Sequence, residues 1–146
     1  GFTAQENQGK KLFIDNCASC HSPTQSRPAK MMANNGLDAT TTDRGVGGVT
    51  GLASDDGMFK VTLLRNIALT APYMHDGRFA TLEEVLDYYS EGVNDTPFTD
   101  NFMQFAFQGG VQLDATEKAQ LIAFLKTLTD HTLKDNPIYQ NPFEED

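Results

Sequence analysis

Two cysteines and a histidine stand together near the start of the chain, in the run Cys17-Ala18-Ser19-Cys20-His21. Two thiols three positions apart can each add across one vinyl group of a haem, and the histidine that follows can bind the iron as an axial ligand. This C-x-x-C-H spacing is typical of covalent, c-type haem attachment, and imidazole suits iron. We therefore predict one covalently bound haem c, held by Cys17, Cys20 and His21.

Other chemistries use cysteine pairs with the same spacing. A thioredoxin-like redox pair or a disulfide is expected within an alternating strand and helix pattern, which this sequence does not show. A structural zinc site needs a second pair of ligands at finger spacing, and the sequence has none. The chain contains only two cysteines, so haem attachment uses both of them.

Three helices are predicted from capping signals and from apolar residues at helical spacing. The first begins with Thr3-Ala4-Gln5-Glu6 and leads into the haem motif. The second begins at Thr81-Leu82-Glu83-Glu84, and the third begins near Asp114-Ala115-Thr116-Glu117. Their apolar faces are formed by Gly9, Leu12 and Phe13 in the first, by Leu82, Val85, Leu86 and Tyr89 in the second, and by Leu121, Phe124, Leu125 and Leu128 in the third.

We expect the first and last helices to cross beside the haem, as they do in c-type cytochromes. Gly9 would let the two backbones approach closely, and Phe13 would pack near Phe124. Between the haem motif and the second helix the sequence has little periodicity and many turn signals. A loop this long in a small domain usually wraps around something, here the haem. The segment 130–146 is predicted to be an extended tail.

Composition sets limits on the kind of protein. At 146 residues with 39% apolar residues, the chain is expected to form one domain, residues 1–146. The formal charge of −9 argues against nucleic acid and anionic membrane as partners and favours a basic redox partner, although it also serves solubility. We expect no membrane insertion, because no apolar run approaches 20 residues. Without a secretory leader, the chain is expected to be a mature protein or a fragment.

The segment from Phe59 to Val85 carries a family resemblance. It has the sequence FKVTLLRNIALTAPYMHDGRFATLEEV, which closely resembles the C-terminal haem domain of bacterial di-haem cytochrome c peroxidases and MauG-like proteins. The segments 35–38 and 121–128 are also similar, and the resemblance extends from about Gln8 to Phe143. It implies an all-α fold: a cytochrome c-like helical domain with long loops, wrapped around one covalently attached haem.

The resemblance also implies a function. Family members carry two haems; peroxide reacts at the N-terminal haem, and the C-terminal haem relays electrons. We therefore expect electron transfer through one haem, with a redox protein or a missing N-terminal haem domain as the partner. The alternative is a peroxidase or ligand-binding haem protein that acts at an open iron. Covalent haem attachment in bacteria is completed outside the cytoplasm, so a periplasmic or otherwise exported protein is expected.

The sixth iron ligand is identified by the same resemblance. Peroxidases of the family place a methionine on the helix after the Pro-Tyr-x-His segment, and MauG-like members place a tyrosine there, which corresponds to Tyr89. The alternative is that Tyr89 is a core aromatic residue. Met103 is the main competitor because it precedes the last helix, and Met74 is a weaker one because the matching family position is not a ligand.

Further residues are candidates for binding the cofactor or a cation. Arg65 and Arg78 are candidate partners of the haem propionates, because guanidinium groups match carboxylates in shape and charge; the alternative is a solvated surface charge. His75 is expected near the haem as a hydrogen-bonding group. The family also binds calcium between its haems, which implies a calcium site at the backbone carbonyls of Thr70 and Pro72.

Overall fold

The computed structural model describes residues 1–22, 24, 26–133, 136–140 and 143. Within these residues the α-helices are α1 (Ala4–Asn16), α2 (Ala18–His21), α3 (Val46–Thr50), α4 (Leu82–Asp87) and α5 (Ala115–Lys126). Single 3₁₀ turns cover Ala53–Asp55, Ile67–Leu69, Ala106–Gln108 and Pro137–Tyr139. The strands β1 (Met32–Ala33) and β2 (Phe59–Lys60) form an antiparallel pair.

The three predicted helices are confirmed, and each starts with the predicted capping box. At α1, Glu6 N–H donates to the Thr3 hydroxyl and Thr3 N–H donates to the Glu6 carboxylate. The same reciprocal pair begins α4 and α5. Two backbone donors at each helix start are thereby satisfied, which fixes where α4 and α5 begin.

Helices α1 and α5 pack closely, as predicted. A methyl group on Gly9 would collide with the backbone carbonyl of Gln120, so the helices approach to a distance that only glycine allows. Phe13, 1% exposed, has its ring centroid 5.3 Å from that of Phe124. Phe13 and Phe124 belong to the larger of two apolar clusters, together with Tyr73, Leu82, Leu86, Leu113, Leu121, Ile122 and Leu125.

A second, smaller cluster lies against the end of α4. After Asp87 the helix widens into a π-turn over Tyr88–Gly92. The cluster consists of the buried residues Leu37, Tyr88, Val93 and Ala106, and it is flanked by the half-buried residues Met74, Phe79, Tyr89 and Met103. π-turns in helices are often found at functional sites, and this one carries Tyr89.

The region between α2 and α4 differs in part from the prediction. Its turns are present, and Gly36, Gly45, Gly51 and Gly57 all have positive φ angles, which favour glycine. However, the glycine-rich segment forms the short helix α3 instead of a plain turn, and β1 pairs with β2. The all-α expectation is therefore confirmed for the main elements but has to include this small two-stranded sheet.

The predicted extended tail over 130–146 is wrong at two places. Residues 130–133 form a turn, in which Leu133 N–H donates to the Asp130 carbonyl at 3.4 Å. Pro137–Tyr139 forms a 3₁₀ turn that is capped by Asn136, whose side chain accepts a hydrogen bond from Ile138 N–H. Proline fits the first position of such a turn because its fixed φ is already helical. Residues 134, 135, 141, 142 and 144–146 lie outside the described residues. In the part of the chain that the structure describes, no helix has the length and apolar character needed to cross a bilayer.

Candidate haem site

The haem motif forms one helical turn immediately after α1. Cys17 ends α1 and begins α2, and its carbonyl accepts hydrogen bonds from Cys20 N–H at 3.2 Å and from His21 N–H at 3.0 Å. Both thiols are free and half-buried. One helical turn therefore presents the two thiols and the imidazole together, as attachment to a single haem requires.

The imidazole of His21 is oriented by a backbone carbonyl. Its Nδ1 lies 2.9 Å from the carbonyl oxygen of Thr62. Because a carbonyl only accepts hydrogen bonds, the proton is on Nδ1 and the lone pair is on Nε2. Burial lowers the pKa of His21 below its usual value, so the ring is neutral. A neutral imidazole whose other nitrogen donates to a carbonyl is the form that binds metals.

Thr62 was not identified from the sequence. It supplies a backbone atom, so its side-chain type carries no signal of the role. Thr62 could have been found from its position in the sequence, because it comes just before the Leu64-Arg65-Asn66 run in the segment that carries the family resemblance.

Tyr89 lies beside the haem motif. Its Oη accepts a hydrogen bond of 3.1 Å from Asn35 Nδ2. Burial raises the pKa of Tyr89 above its usual range, and the thiols of Cys17 and Cys20 are close enough to raise it further, whereas the hydrogen bond from Asn35 lowers it. The structure thus brings a phenolic oxygen from the π-turn to the two cysteines, 69 residues or more away in the sequence.

The three candidates for the sixth ligand lie in the same part of the molecule. Tyr89, Met74 and Met103 all pack against the second apolar cluster. The amide nitrogen of Asn35 that donates to Tyr89 is also 3.9 Å from the Met74 sulfur. By contrast, Met31 and Met32 are exposed.

These residues fit a covalently bound haem c. The donor set consists of two free thiols on one helical turn, a neutral imidazole with a fixed tautomer, and a nearby phenolic oxygen. Sulfur and imidazole suit iron and covalent haem attachment. Apolar side chains from the π-turn and from the loop before α5 supply the water-poor surroundings that a haem needs.

Comparison with known proteins decides the family. The sequence pattern of the cytochrome c family matches residues 7–129, which is most of the chain. The chain belongs to the cytochrome c family. A solved MauG-like protein associated with microbial copper homeostasis superimposes with a TM-score of 0.82 at 35% identity, over 97% of this chain and 52% of that one.

Two curated relatives of this cytochrome c are a cytochrome c peroxidase and a MauG protein. It is 32% identical to the cytochrome c551 peroxidase of Nitrosomonas europaea over 94% of this chain and 36% of that protein. It is 29% identical to the methylamine utilization protein MauG of Paracoccus denitrificans over 88% of this chain and 43% of that protein. The resemblance to the peroxidase and MauG-like family is confirmed, and this chain spans less than half the length of either relative.

Arg78 is held by carboxylates at the edge of the cytochrome's second cluster. Its Nη1 is 2.9 Å from Asp38 Oδ1, and its Nη2 is 2.7 Å from Asp76 Oδ2. Hydrogen bonding from Arg78 holds the pKa of Asp76 below its usual range. Arg78 is therefore a structural tie between two loops in this arrangement, and its predicted role toward a propionate remains a prediction.

Arg65 lies in a different place. It lines an open cavity of about 400 Å³ between the start of α1 and the end of α5. The structure therefore does not bring the two candidate arginines together. The other residues that line this cavity are Phe2, Lys10, Thr24, Asn66, Phe124, Thr127, Leu128, Thr129 and Asp130.

His75 and the candidate calcium ligands are at the surface. The His75 ring is exposed and stacks on Phe59, with centroids 3.7 Å apart and planes 11° from parallel. Thr70 and Pro72 are exposed on the turn after the Ile67–Leu69 3₁₀ segment. In the described part of the chain no cluster of three or more His, Cys, Asp or Glu side chains could hold a metal ion, so calcium would depend on backbone carbonyls.

Proposed function

We propose that this cytochrome c transfers electrons through one covalently bound haem, as the relay domain of a di-haem peroxidase or MauG-like oxidoreductase. The observation that carries the proposal is the position of the Tyr89 hydroxyl, which is held by Asn35 and lies close to the thiols of Cys17 and Cys20. A protein oxygen at this place gives the iron a second protein ligand. An iron with two protein ligands suits electron transfer better than substrate binding.

Each residue has a defined part in this proposal. Cys17 and Cys20 would hold the haem through thioether bonds, and His21 would bind its iron through Nε2. The bound haem supplies one-electron chemistry between ferric and ferrous iron. The carbonyl of Thr62 keeps the proton on Nδ1 of His21 and fixes the direction of the ring.

Tyr89 sets the range of the midpoint potential. An anionic phenolic oxygen favours ferric iron, so we expect a low potential, whereas a methionine sulfur raises it. The positive charge of ferric iron favours the ionised form of Tyr89, and Asn35 stabilises that charge by donating a hydrogen bond. Met103, and after it Met74, is the competing ligand, since both pack against the same cluster as Tyr89.

The alternative function is peroxide reduction or small-ligand binding at an open iron. It would need a vacant axial position and an acid–base group within reach of the bound molecule. His75 was the candidate for that group, but it is exposed and stacked on Phe59. The position of Tyr89 therefore favours the relay function.

The proposal includes partners and location. With a net charge of −9, the surface suits a redox protein with a basic contact face, or the haem domain that the longer relatives contain. Periplasmic or other exported location follows from where c-type haem is attached. A calcium ion at the carbonyls of Thr70 and Pro72 is proposed only together with ligands from such a partner.

Carbon monoxide binding to the reduced haem protein tests this function. We expect slow or no binding by the wild type, because Tyr89 or a neighbouring side chain occupies the sixth position. The Tyr89→Phe variant should change the ferric optical spectrum, because it removes the oxygen. Tyr73→Phe is the matched control, since Tyr73 Oη donates to the Ile67 carbonyl within the other cluster, and it should leave the spectrum unchanged.

Two results would contradict the proposal. Rapid carbon monoxide binding by the native wild-type protein would show an open iron and support the alternative function. An unchanged ferric spectrum in Tyr89→Phe would exclude Tyr89 as the ligand.

A further inference from the structure

Asn35 is fixed between two aromatic side chains of the π-turn. Its backbone carbonyl accepts a hydrogen bond of 2.8 Å from Tyr88 Oη, and its side-chain amide donates one of 3.1 Å to Tyr89 Oη. Tyr88 thus holds the backbone of Asn35, and Tyr89 holds its side chain. A side chain anchored in this way has little freedom to leave the Tyr89 oxygen.

The loop around Asn35 is tied down by further hydrogen bonds. Asn94 donates to the Gly36 carbonyl through its backbone N–H and through its side chain, both at 2.9 Å. Asn34 Oδ1 accepts from Gly36 N–H, and the Asn34 carbonyl accepts from Asp100 N–H, both at 2.9 Å. Gly36 has φ +75 and no room for a side chain beside Asn94. The loop is therefore built to present the Asn35 amide in one position.

The same amide nitrogen is much farther from the competing ligand. It is 3.9 Å from the Met74 sulfur and 3.1 Å from the Tyr89 oxygen. Thioether sulfur is a weak acceptor, and an anionic oxygen is a strong one. The amide nitrogen therefore interacts with Tyr89 far more strongly than with Met74.

We propose that Asn35 is a positioning residue that donates a hydrogen bond to the Tyr89 oxygen and thereby raises the midpoint potential of the haem. The inference rests on the proposed function, in which Tyr89 binds the iron. Hydrogen bonds around an axial ligand are one of the ways by which a protein tunes a haem. The phenolic oxygen keeps more negative charge on ferrous iron than on ferric iron, so a donor beside it favours the reduced form.

The midpoint potential of Asn35→Leu tests the inference. Leucine has a similar shape but no donor, so the potential should fall. We expect the ratio of ferrous to ferric protein at a given applied potential to fall about tenfold, which is about 59 mV for a one-electron couple. Added apolar bulk near a haem would act in the opposite direction, so a fall can be assigned to the lost hydrogen bond.

A double-mutant cycle separates this hydrogen bond from general damage. In the Tyr89→Phe background the acceptor is gone, so Asn35→Leu should leave the potential unchanged. Tyr88→Phe provides a milder variant, because it keeps the amide but removes one of its anchors; its potential should fall by less than that of Asn35→Leu. Asn94→Leu loosens the loop but keeps the donor, because Asn94 holds the Gly36 and Leu37 carbonyls; its potential should fall by less than that of Asn35→Leu.

The results distinguish the inference from the proposed function. If Tyr89→Phe changes the ferric spectrum but Asn35→Leu leaves the potential unchanged or raises it, the role of Asn35 is overturned and the relay function stands. An equal shift from Asn35→Leu in the wild-type and Tyr89→Phe backgrounds overturns it as well. If Tyr89→Phe leaves the spectrum unchanged, the ligand assignment and the inference that rests on it both fail.

Discussion

Cys17 illustrates how burial controls chemistry at a single residue. Burial, together with a smaller effect of the neighbouring Cys20 thiol, raises the pKa of its thiol from 9.0 to about 12. Since the thiolate is the reactive form of cysteine, the folded chain keeps Cys17 protonated and unreactive.

Alkylation of Cys17 in the haem-free Cys20→Ser variant tests this effect. At pH 8 the folded variant should react with iodoacetamide about a thousandfold more slowly than the same variant in denaturant, because a rise of the pKa from 9.0 to about 12 reduces the thiolate about a thousandfold. The rate should recover only as the pH approaches the raised pKa. Equal rates with and without denaturant would show that the thiol is not buried.

At the scale of elements, the contact between α1 and α5 sets the frame of the domain. Gly9 lies where the helices are closest, against the Gln120 carbonyl and the Phe124 side chain. The haem motif begins at the end of α1, so the α1–α5 contact also determines where Cys17 and His21 lie. Added bulk at Gly9 would move the haem motif as well as the helix.

Gly9→Ala should therefore destabilise the protein although alanine favours helix. We expect the free energy of unfolding to fall by about 2 kcal/mol, because overpacking costs about 1–3 kcal/mol and exceeds the gain in helix propensity. Gly48→Ala is the matched control, since Gly48 is also helical and the nearest atom to an added methyl group is 3.7 Å away. Its stability should be unchanged or rise by up to about 1 kcal/mol.

Urea denaturation of both variants measures the difference. If Gly9→Ala is as stable as Gly48→Ala, the helices do not approach as closely as described.

The parts of the fold that could be predicted from sequence are those with local causes. Each capping box lies within four residues, and α1, α4 and α5 begin where these signals place them. The pairing of β1 with β2 joins residues 32–33 to residues 59–60, and two-residue strands carry no periodic pattern. The sequence gives no local signal for such a contact between distant segments.

The same distinction applies to the candidate site. The thiols and the imidazole share a five-residue motif and were found directly, whereas Tyr89 was found only through the family resemblance. Asn35 was predicted only as part of a turn with Gly36, since its bond to Tyr89 joins residues 54 positions apart. Thr62 contributes only its backbone carbonyl. When a residue contacts a ligand from a distant segment of the chain, no fixed spacing in the sequence connects the two residues.

At the scale of the whole molecule, the cytochrome combines a packed helical half with a site built mainly from loops. The larger cluster joins α1, α4 and α5, whereas the second cluster joins the Leu37 loop, the π-turn and the loop before α5. The haem motif lies between them, since Cys17 packs on the first cluster and interacts with Tyr89 of the second. The net charge of −9 is the basis for proposing a basic redox partner, and the chain spans less than half of its peroxidase and MauG relatives.

The optical spectrum of the ferric holoprotein is the measurement that tests this account most directly. The region in the red where a sulfur-to-iron charge-transfer band occurs distinguishes the candidate ligands. We expect this band to be absent and the spectrum to be of the phenolate type, because the proposed iron ligand is the Tyr89 oxygen. A clear sulfur band would contradict the account: Met74 or Met103 would then be the ligand, the potential would be higher, and Tyr89 would be a core aromatic residue.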